Sequence, residues 1–302
     1  MNELFDKLIL RIVFTGFMCL ILFLYKYAHR FLYPSSREQM FKRFFPSKNS
    51  PDTLHLFSRL IGISVLFSEF HFDLDERLPI ALSMFAIQAT LTCFIYLASI
   101  YIIESIVLYN FEYSDEILKR KSFPYAIISF AHSIGIAYIL KIVLAVSNNS
   151  LILLLFLWLF SLVILGFATK TFSILSKLNF NRLLVQKSMT LAFSYTGFIW
   201  GWTLIIASAL NHQVVDIRWY GIQVILKILL ALIILPIFRR SLIWIFKIQD
   251  DFDPELKGES NQNTQEVDFG YGVFEGSIFF TCCFLTTVIT GNINFGTFYP
   301  IY

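Results

Sequence analysis

The chain of 302 residues is 57% hydrophobic and only 15% charged, whereas charged residues make up about a quarter of a typical soluble chain. Its net charge of +3 at pH 7 is small, and no soluble segment carries basic residues interleaved with aromatics, which argues against nucleic-acid binding. The composition excludes an ordinary soluble domain and predicts an all-α, polytopic membrane protein.

Apolar runs long enough to cross a bilayer as helices recur along the whole chain. We predict eight spans, at about 8–28, 54–70, 78–109, 123–146, 150–174, 188–210, 218–246 and 271–297. The second span has the weakest signal, because Arg59 and Glu69 bracket only about ten apolar residues. The expected architecture is a membrane helix bundle of four helical hairpins.

Basic residues concentrate in alternate connections between these spans. The first, third and fifth connections hold Lys26, Arg30, Arg37, Lys42, Arg43 and Lys48, then Lys119, Arg120 and Lys121, then Lys177, Arg182 and Lys187. Because cytoplasmic connections are enriched in Lys and Arg, these three are predicted to face the cytoplasm, and both termini to lie outside. The seventh connection, 250–268, is acidic, but acidic residues influence topology little.

A short motif opening on Phe occurs early in each even-numbered span, at Phe57, Phe130, Phe193 and Phe274. Each copy enters its span from the predicted cytoplasmic side, so the repeat is parallel. We therefore divide the chain into two tandem four-helix units, 1–148 and 149–302. The alternative is chance similarity among spans that are rich in Phe and Ser.

These motifs resemble a family of bacterial inner-membrane proteins known as domain of unknown function 350. The similarity lies in a polar Asp115 or Glu116 after a long span, in the helix entering with residues 130–135 and in the later helix entering with residues 272–277. The resemblance implies four spans in two hairpins per unit, so that the chain looks like two units fused, in a bacterial inner membrane. It implies no reaction.

Four polar residues of the motifs form a candidate intramembrane polar cluster, consisting of Arg59, His132, Tyr195 and Glu275. If the repeats surround a common axis, these side chains converge near the cytoplasmic side. Ionisable groups within spans are costly and tend to face the bundle interior or water. Such a cluster either binds an ion or relays protons, or it is a set of interhelical hydrogen bonds that fixes helix register.

Other charged residues within spans suggest structural roles. Glu104 lies near the cytoplasmic end of the third span, and Arg239 and Arg240 lie at the matching level of the seventh. An ion pair between the two halves is therefore predicted. Lys141 and Lys227 lie in the outer halves of their spans, from which a lysine can reach the interface.

Small residues in the last span predict a close helix contact. Gly272 and Gly276 are four residues apart and so lie on one helix face. This face suits either a tight contact within the bundle or a homo-oligomer. The expected surroundings are the lipid bilayer and, at the basic connections, anionic lipid headgroups; a partner within a membrane complex is the other interaction considered.

We find no motif of an enzyme, and we assign no catalytic, cofactor-binding or metal-ligating residue. Two functions from different classes remain. One is a small ion or proton channel or transporter-like bundle, and the other is a non-transporting scaffold or subunit of an envelope complex.

Overall fold

Helices form at all eight predicted spans in the computed structural model, which describes residues 2–34, 46–70, 78–147, 150–176, 178–248, 264–293 and 295. We number the long helices α1 (Asn2–Leu32), α2 (Ser50–Phe67), α3 (Leu78–Val107), α4 (Phe123–Ser147), α5 (Leu151–Lys170), α6 (Met189–Leu210), α7 (Ile217–Ile245) and α8 (Thr264–Thr290). Short helical turns cover Pro46–Lys48, Ser114–Lys119, Phe172–Leu175 and Phe180–Val185. No strand occurs within the described ranges, which confirms the all-α prediction.

Seven of the eight long helices in the described part of the chain are long and apolar enough to cross a membrane. The exception is α2. It has 18 residues and carries Asp52 and Arg59, both buried. A helix with buried charges needs polar partners from its neighbours, and α2 packs along α4. The weak hydropathy of the second span therefore reflects burial inside the bundle.

The turns that lead into α4 and α6 share one backbone geometry. Lys121 and Lys187 have positive φ values of 50° and 56°, and each lies two residues before the following helix begins. A residue in this left-handed conformation ends one helical segment and redirects the chain. The chain therefore enters α4 and α6 through the same kind of turn.

The four even-numbered helices form an inner row in the order α2, α4, α6, α8. The contacts of α2 with α4, α4 with α6 and α6 with α8 are the most extensive in the bundle. Helix α3 packs on α4 and α5, and α7 packs on α6 and α8. Since α2 and α8 lie at opposite ends of the row, the motif helices are arranged in series and not as a closed ring.

Two apolar clusters fill the bundle. The first includes Ile63 and Leu66 of α2 with Val143 of α4. The second lies around α6 and α8 and includes Trp202 and Cys283. Each cluster belongs mainly to one half, and α4 and α6 join the two.

Some sequence predictions fall on residues outside the described ranges. These are most of the acidic seventh connection, together with the basic residues Arg37, Lys42, Arg43 and Lys177.

Candidate functional site

A buried ion pair joins α2 to α3. Arg59 Nη2 lies 2.6 Å from Glu104 Oε1, and the arginine side chain is only 1% exposed. The same guanidinium donates from Nη1 to Ser58 Oγ at 2.9 Å and to the Ser129 carbonyl oxygen at 3.4 Å. Glu104 also accepts hydrogen bonds from the hydroxyls of Tyr33 and Ser129. Both charges are thus compensated by close protein groups, which a buried pair requires.

The hydrogen-bonded set continues towards the middle of the bundle. Ser58 Oγ lies 3.3 Å from Ser133 Oγ, and the Tyr96 hydroxyl donates to the Ser133 carbonyl oxygen at 3.3 Å. Tyr96 fits against α2 because residue 62 is glycine; a Cβ there would lie 1.8 Å from the tyrosine oxygen. Beyond this level, the next turns of α2 and α4 contribute Leu66 and Val143 to the first apolar cluster.

Aromatic rings extend the set towards the basic connections. The Tyr33 ring packs 4.9 Å from His55 and 4.8 Å from Tyr113, between ring centroids. The Tyr113 hydroxyl donates to Asp52 Oδ1 at 2.5 Å, and burial raises the pKa of this phenol. Tyr113 therefore stays neutral at physiological pH and acts as a hydrogen-bond donor.

Two histidines lie within this aromatic region. His29 Nδ1 forms a hydrogen bond of 3.2 Å with the Tyr25 hydroxyl. The centroid of the His29 ring lies 5.9 Å from that of His55. The His55 ring is fully buried, and neither nitrogen has a hydrogen-bond partner among the described residues. The sequence analysis missed Tyr33, His55 and Tyr113. Spacing was the available signal for Tyr33 alone, because Tyr25, His29 and Tyr33 recur every four residues at the end of α1.

A second polar contact joins α4 to α6. His132 Nε2 lies 3.0 Å from the Tyr195 hydroxyl, and both residues are 1% exposed. His132 Nδ1 has no partner among the described residues. Aromatic side chains from Phe172, Phe180 and Phe198 surround the Tyr195 ring. The contact is dry and lies where the two halves meet.

A third polar contact joins α7 to α8. Arg239 Nη2 lies 2.8 Å from Glu275 Oε1, and the Tyr271 hydroxyl donates to the same oxygen at 3.1 Å. The arginine side chain is 28% exposed, so this pair is wetter than the pair in the first half. Arg240 is exposed.

The four predicted cluster residues are thus distributed over three helix contacts. Arg59 lies at the α2–α3–α4 contact, His132 and Tyr195 at the α4–α6 contact, and Glu275 at the α7–α8 contact. The arrangement in series explains this distribution, since α2 and α8 occupy opposite ends of the inner row.

The partners of Glu104 and Arg239 also differ from the predicted ion pair between halves. Glu104 pairs with Arg59, and Arg239 pairs with Glu275, so each pair forms within one half. Glu104 cannot reach Arg239 or Arg240 because α3 packs on α4 and α5, whereas α7 packs on α6 and α8.

Glycines bring α6 and α8 into backbone contact. A Cβ added at Gly272 would lie 2.3 Å from the Thr190 carbonyl oxygen, and one at Gly276 would lie 2.4 Å from that of Phe193. From the opposite helix, a Cβ at Gly197 would lie 2.1 Å from the Gly276 carbonyl oxygen. Gly272 and Gly276 therefore serve a contact within one chain.

Replacing Tyr195 with phenylalanine is expected to lower the free energy of unfolding by about 1–3 kcal/mol, because both His132 ring nitrogens would then lack a partner in a buried site. Thermal unfolding in detergent measures the change. Tyr109→Phe is the matched control, since Tyr109 is 68% exposed and should tolerate the change. Equal stability of Tyr195→Phe and the wild type would show that the hydrogen bond contributes nothing.

The fold and these contacts define a multi-pass α-helical membrane protein in which ion pairs and a buried hydrogen bond join neighbouring helices. Residues 146–290 match the family model described as Domain of Unknown Function (DUF350). The resemblance seen in the sequence is confirmed over these residues. The searches of curated proteins and of solved structures found no match.

Proposed function

We propose that this integral membrane protein is a non-transporting scaffold or subunit of an envelope complex in a bacterial inner membrane, and that it is not an enzyme. The observation that carries the proposal is the dry pairing of three of the four motif residues. Arg59, His132 and Tyr195 are each 1% exposed and bonded to other protein groups. An ion-binding site needs polar groups that an ion can reach. These groups instead form hydrogen bonds between helices.

The extent of the polar network also favours a structural role. The hydrogen-bonded set around Arg59 and Glu104 reaches Tyr96, and apolar side chains of the first cluster, including Leu66 and Val143, follow it outward. A proton relay across a bilayer needs polar groups or water along its whole length. Among the described residues, the network lies at the contact of α2, α3 and α4. This position is expected for hydrogen bonds that hold these three helices together.

The basic connections supply a surface for a partner. At one end of the bundle, Lys121 Nζ donates to the Lys48 carbonyl oxygen at 3.3 Å, and Lys187 Nζ donates to the Arg120 carbonyl oxygen at 2.5 Å. Arg120 in turn donates to the Val185 carbonyl oxygen. The first, third and fifth connections therefore contact one another and form one basic surface, which we call the basic face. Its charge suits anionic headgroups or an acidic partner subunit.

Two related units of four helices account for this arrangement. In support, the packing of α2 on α4 is matched by that of α6 on α8, and each half holds one ion pair between its third helix and an inner helix. The family match covers the second unit, and we propose that the first is its diverged copy.

Proton flux in liposomes tests the proposal. Under an imposed potential, we expect vesicles with the intact protein to acidify no faster than empty vesicles, because apolar side chains such as Leu66 and Val143 follow the polar network among the described residues. A protonophore added at the end verifies that the vesicles hold a gradient.

The opposing function, a proton or ion pathway, makes a different prediction for the same vesicles. It requires flux above the empty vesicles that His132→Ala or Glu275→Gln reduces, while the exposed variant Tyr109→Phe leaves it unchanged. That result would overturn the scaffold proposal.

A further inference from the structure

A polar cavity of about 650 Å³ opens at the end of the bundle opposite the basic face. It lies between the α6–α7 connection, the first turns of α7 and the end of α8. Amide side chains contribute much of its lining, namely Asn211, Gln213, Gln223 and Asn292. Such groups donate hydrogen bonds without adding charge.

Lys227 reaches into this cavity from the membrane-spanning part of α7. It is 4% exposed, and it lies about 15 Å along the helix from Ile217, at about 1.5 Å per residue. In the described part of the chain it has neither an ion pair nor a hydrogen bond. Lys141, the other lysine in the outer half of a span, donates to Ser68 Oγ at 3.1 Å and lies 3.8 Å from Glu69. Lys227 is thus a buried cation without a counter-charge, which is costly in a membrane.

The titratable neighbours in the cavity do not neutralise this lysine. Asp216 caps α7 by accepting a hydrogen bond from the Arg218 backbone N–H at 3.1 Å, and it forms no ion pair with Lys227. The His212 ring stacks on Tyr220 at 4.3 Å, and burial, with a smaller effect of the Lys227 charge, lowers the pKa of His212 to about 4. His212 is therefore neutral at pH 7, and Lys227 supplies the positive charge of the cavity.

The surface beside the cavity suits a lipid. Trp219 lines the cavity and is partly exposed, as expected of a tryptophan at a membrane interface. Further along α7, Ile222, Ile225 and Leu229 are exposed on the helix that carries Lys227. Acyl chains can lie against this apolar surface while a headgroup occupies the polar cavity.

We propose that this cavity binds the phosphate of an anionic phospholipid headgroup, with Lys227 as its counter-charge and the surrounding amides as hydrogen-bond donors. A charge-assisted contact between ammonium and phosphate is stronger than a neutral hydrogen bond. Lipid binding at this cavity does not depend on whether the protein transports ions. The cavity lies at the end of the bundle remote from the basic connections. Lipid binding in the cavity can therefore be measured separately from headgroup binding at the basic connections.

Native mass spectrometry of the intact protein in detergent tests the site, with phosphatidylglycerol and phosphatidylcholine of identical acyl chains as probes. We expect Lys227→Gln to weaken phosphatidylglycerol binding about tenfold relative to the wild type and to abolish the preference over phosphatidylcholine at this site. Lys227→Arg, which keeps the charge, should retain it. Lys141→Gln is the matched control and should bind as the wild type does.

Folding can be checked separately, since Lys227→Gln removes an unpaired buried charge and should melt no earlier than the wild type. Inorganic phosphate then distinguishes a lipid from a free anion. Competition by phosphate against phosphatidylglycerol in the wild type, but not in Lys227→Gln, supports the proposal. Wild-type phosphatidylglycerol binding in Lys227→Gln would overturn it, as would phosphate binding in a protein that does not distinguish the two lipids.

Discussion

Replacing Glu104 with glutamine is expected to lower the free energy of unfolding by about 3–5 kcal/mol, the range for breaking a buried ion pair. The substitution leaves the Arg59 guanidinium almost fully buried beside a neutral amide. Arginine keeps its proton in a protein. The buried Arg59 would therefore remain charged after its partner is lost. Unfolding of the detergent-solubilised protein, followed during titration with a denaturing detergent, measures the loss.

The reciprocal substitution, Arg59→Met, should cost less. A carboxyl group can take up a proton when its partner is lost, and Glu104 would keep the hydroxyl groups of Tyr33 and Ser129. The double substitution Arg59→Met with Glu104→Met removes both charges and should recover part of the stability lost in Glu104→Gln. Lys119→Met is the control, because its pair with Asp115 lies on the surface and should contribute nothing measurable. Equal losses from the surface and the buried substitutions would contradict this account of the pair.

Alanine at Gly276 is expected to destabilise the α6–α8 contact by about 1–3 kcal/mol or more, the usual range for forcing extra atoms into a packed interface. The added Cβ would lie 2.4 Å from the Phe193 carbonyl oxygen and 3.2 Å from Ser194 Cα. These are backbone atoms, which cannot rotate away, so the two helices must separate. Gly272→Ala should behave in the same way, since its Cβ would meet the Thr190 backbone at 2.3 Å.

Gly270→Ala provides a control in the same helix. Nothing lies within 4 Å of a Cβ at this position, and alanine favours a helix over glycine by about 1 kcal/mol. The control should therefore be neutral or slightly stabilising while Gly276→Ala melts earlier. Identical melting temperatures for the two variants would show that the glycine contact does not limit stability.

Local features of the sequence were enough to predict the helices and one of their contacts. A helix that crosses a bilayer must satisfy its backbone internally and present a long apolar run, so hydropathy located α6 at Met189–Leu210 and α7 at Ile217–Ile245 within about one residue. The face carrying Gly272 and Gly276 could also be read locally, because residues four apart lie on one side of a helix. The family resemblance rested on similar short stretches, and the match over 146–290 covers the half that contains the glycines.

Which side chains pair across two helices depends on how the helices are arranged in the membrane plane. Nothing in the sequence around Glu104 indicates whether α3 faces α2 or α7, and the structure pairs it with Arg59. His55, Tyr33 and Tyr113 lie on three separate segments and meet only because α2 and the connections pack together.

Bilayer insertion is governed by composition over a single helix length. The amino-acid sequence was therefore enough to predict the eight long helices of the described residues and the polar positions within them. The packing of the helices was needed to show three further features. The four motif helices form a row, Arg59 and His132 pair in dry contacts, and Lys227 faces a cavity without a counter-charge among the described residues. Ion pairs and hydrogen bonds act over a few ångströms, whereas their partners here are separated by tens of residues along the chain, so local sequence does not identify them.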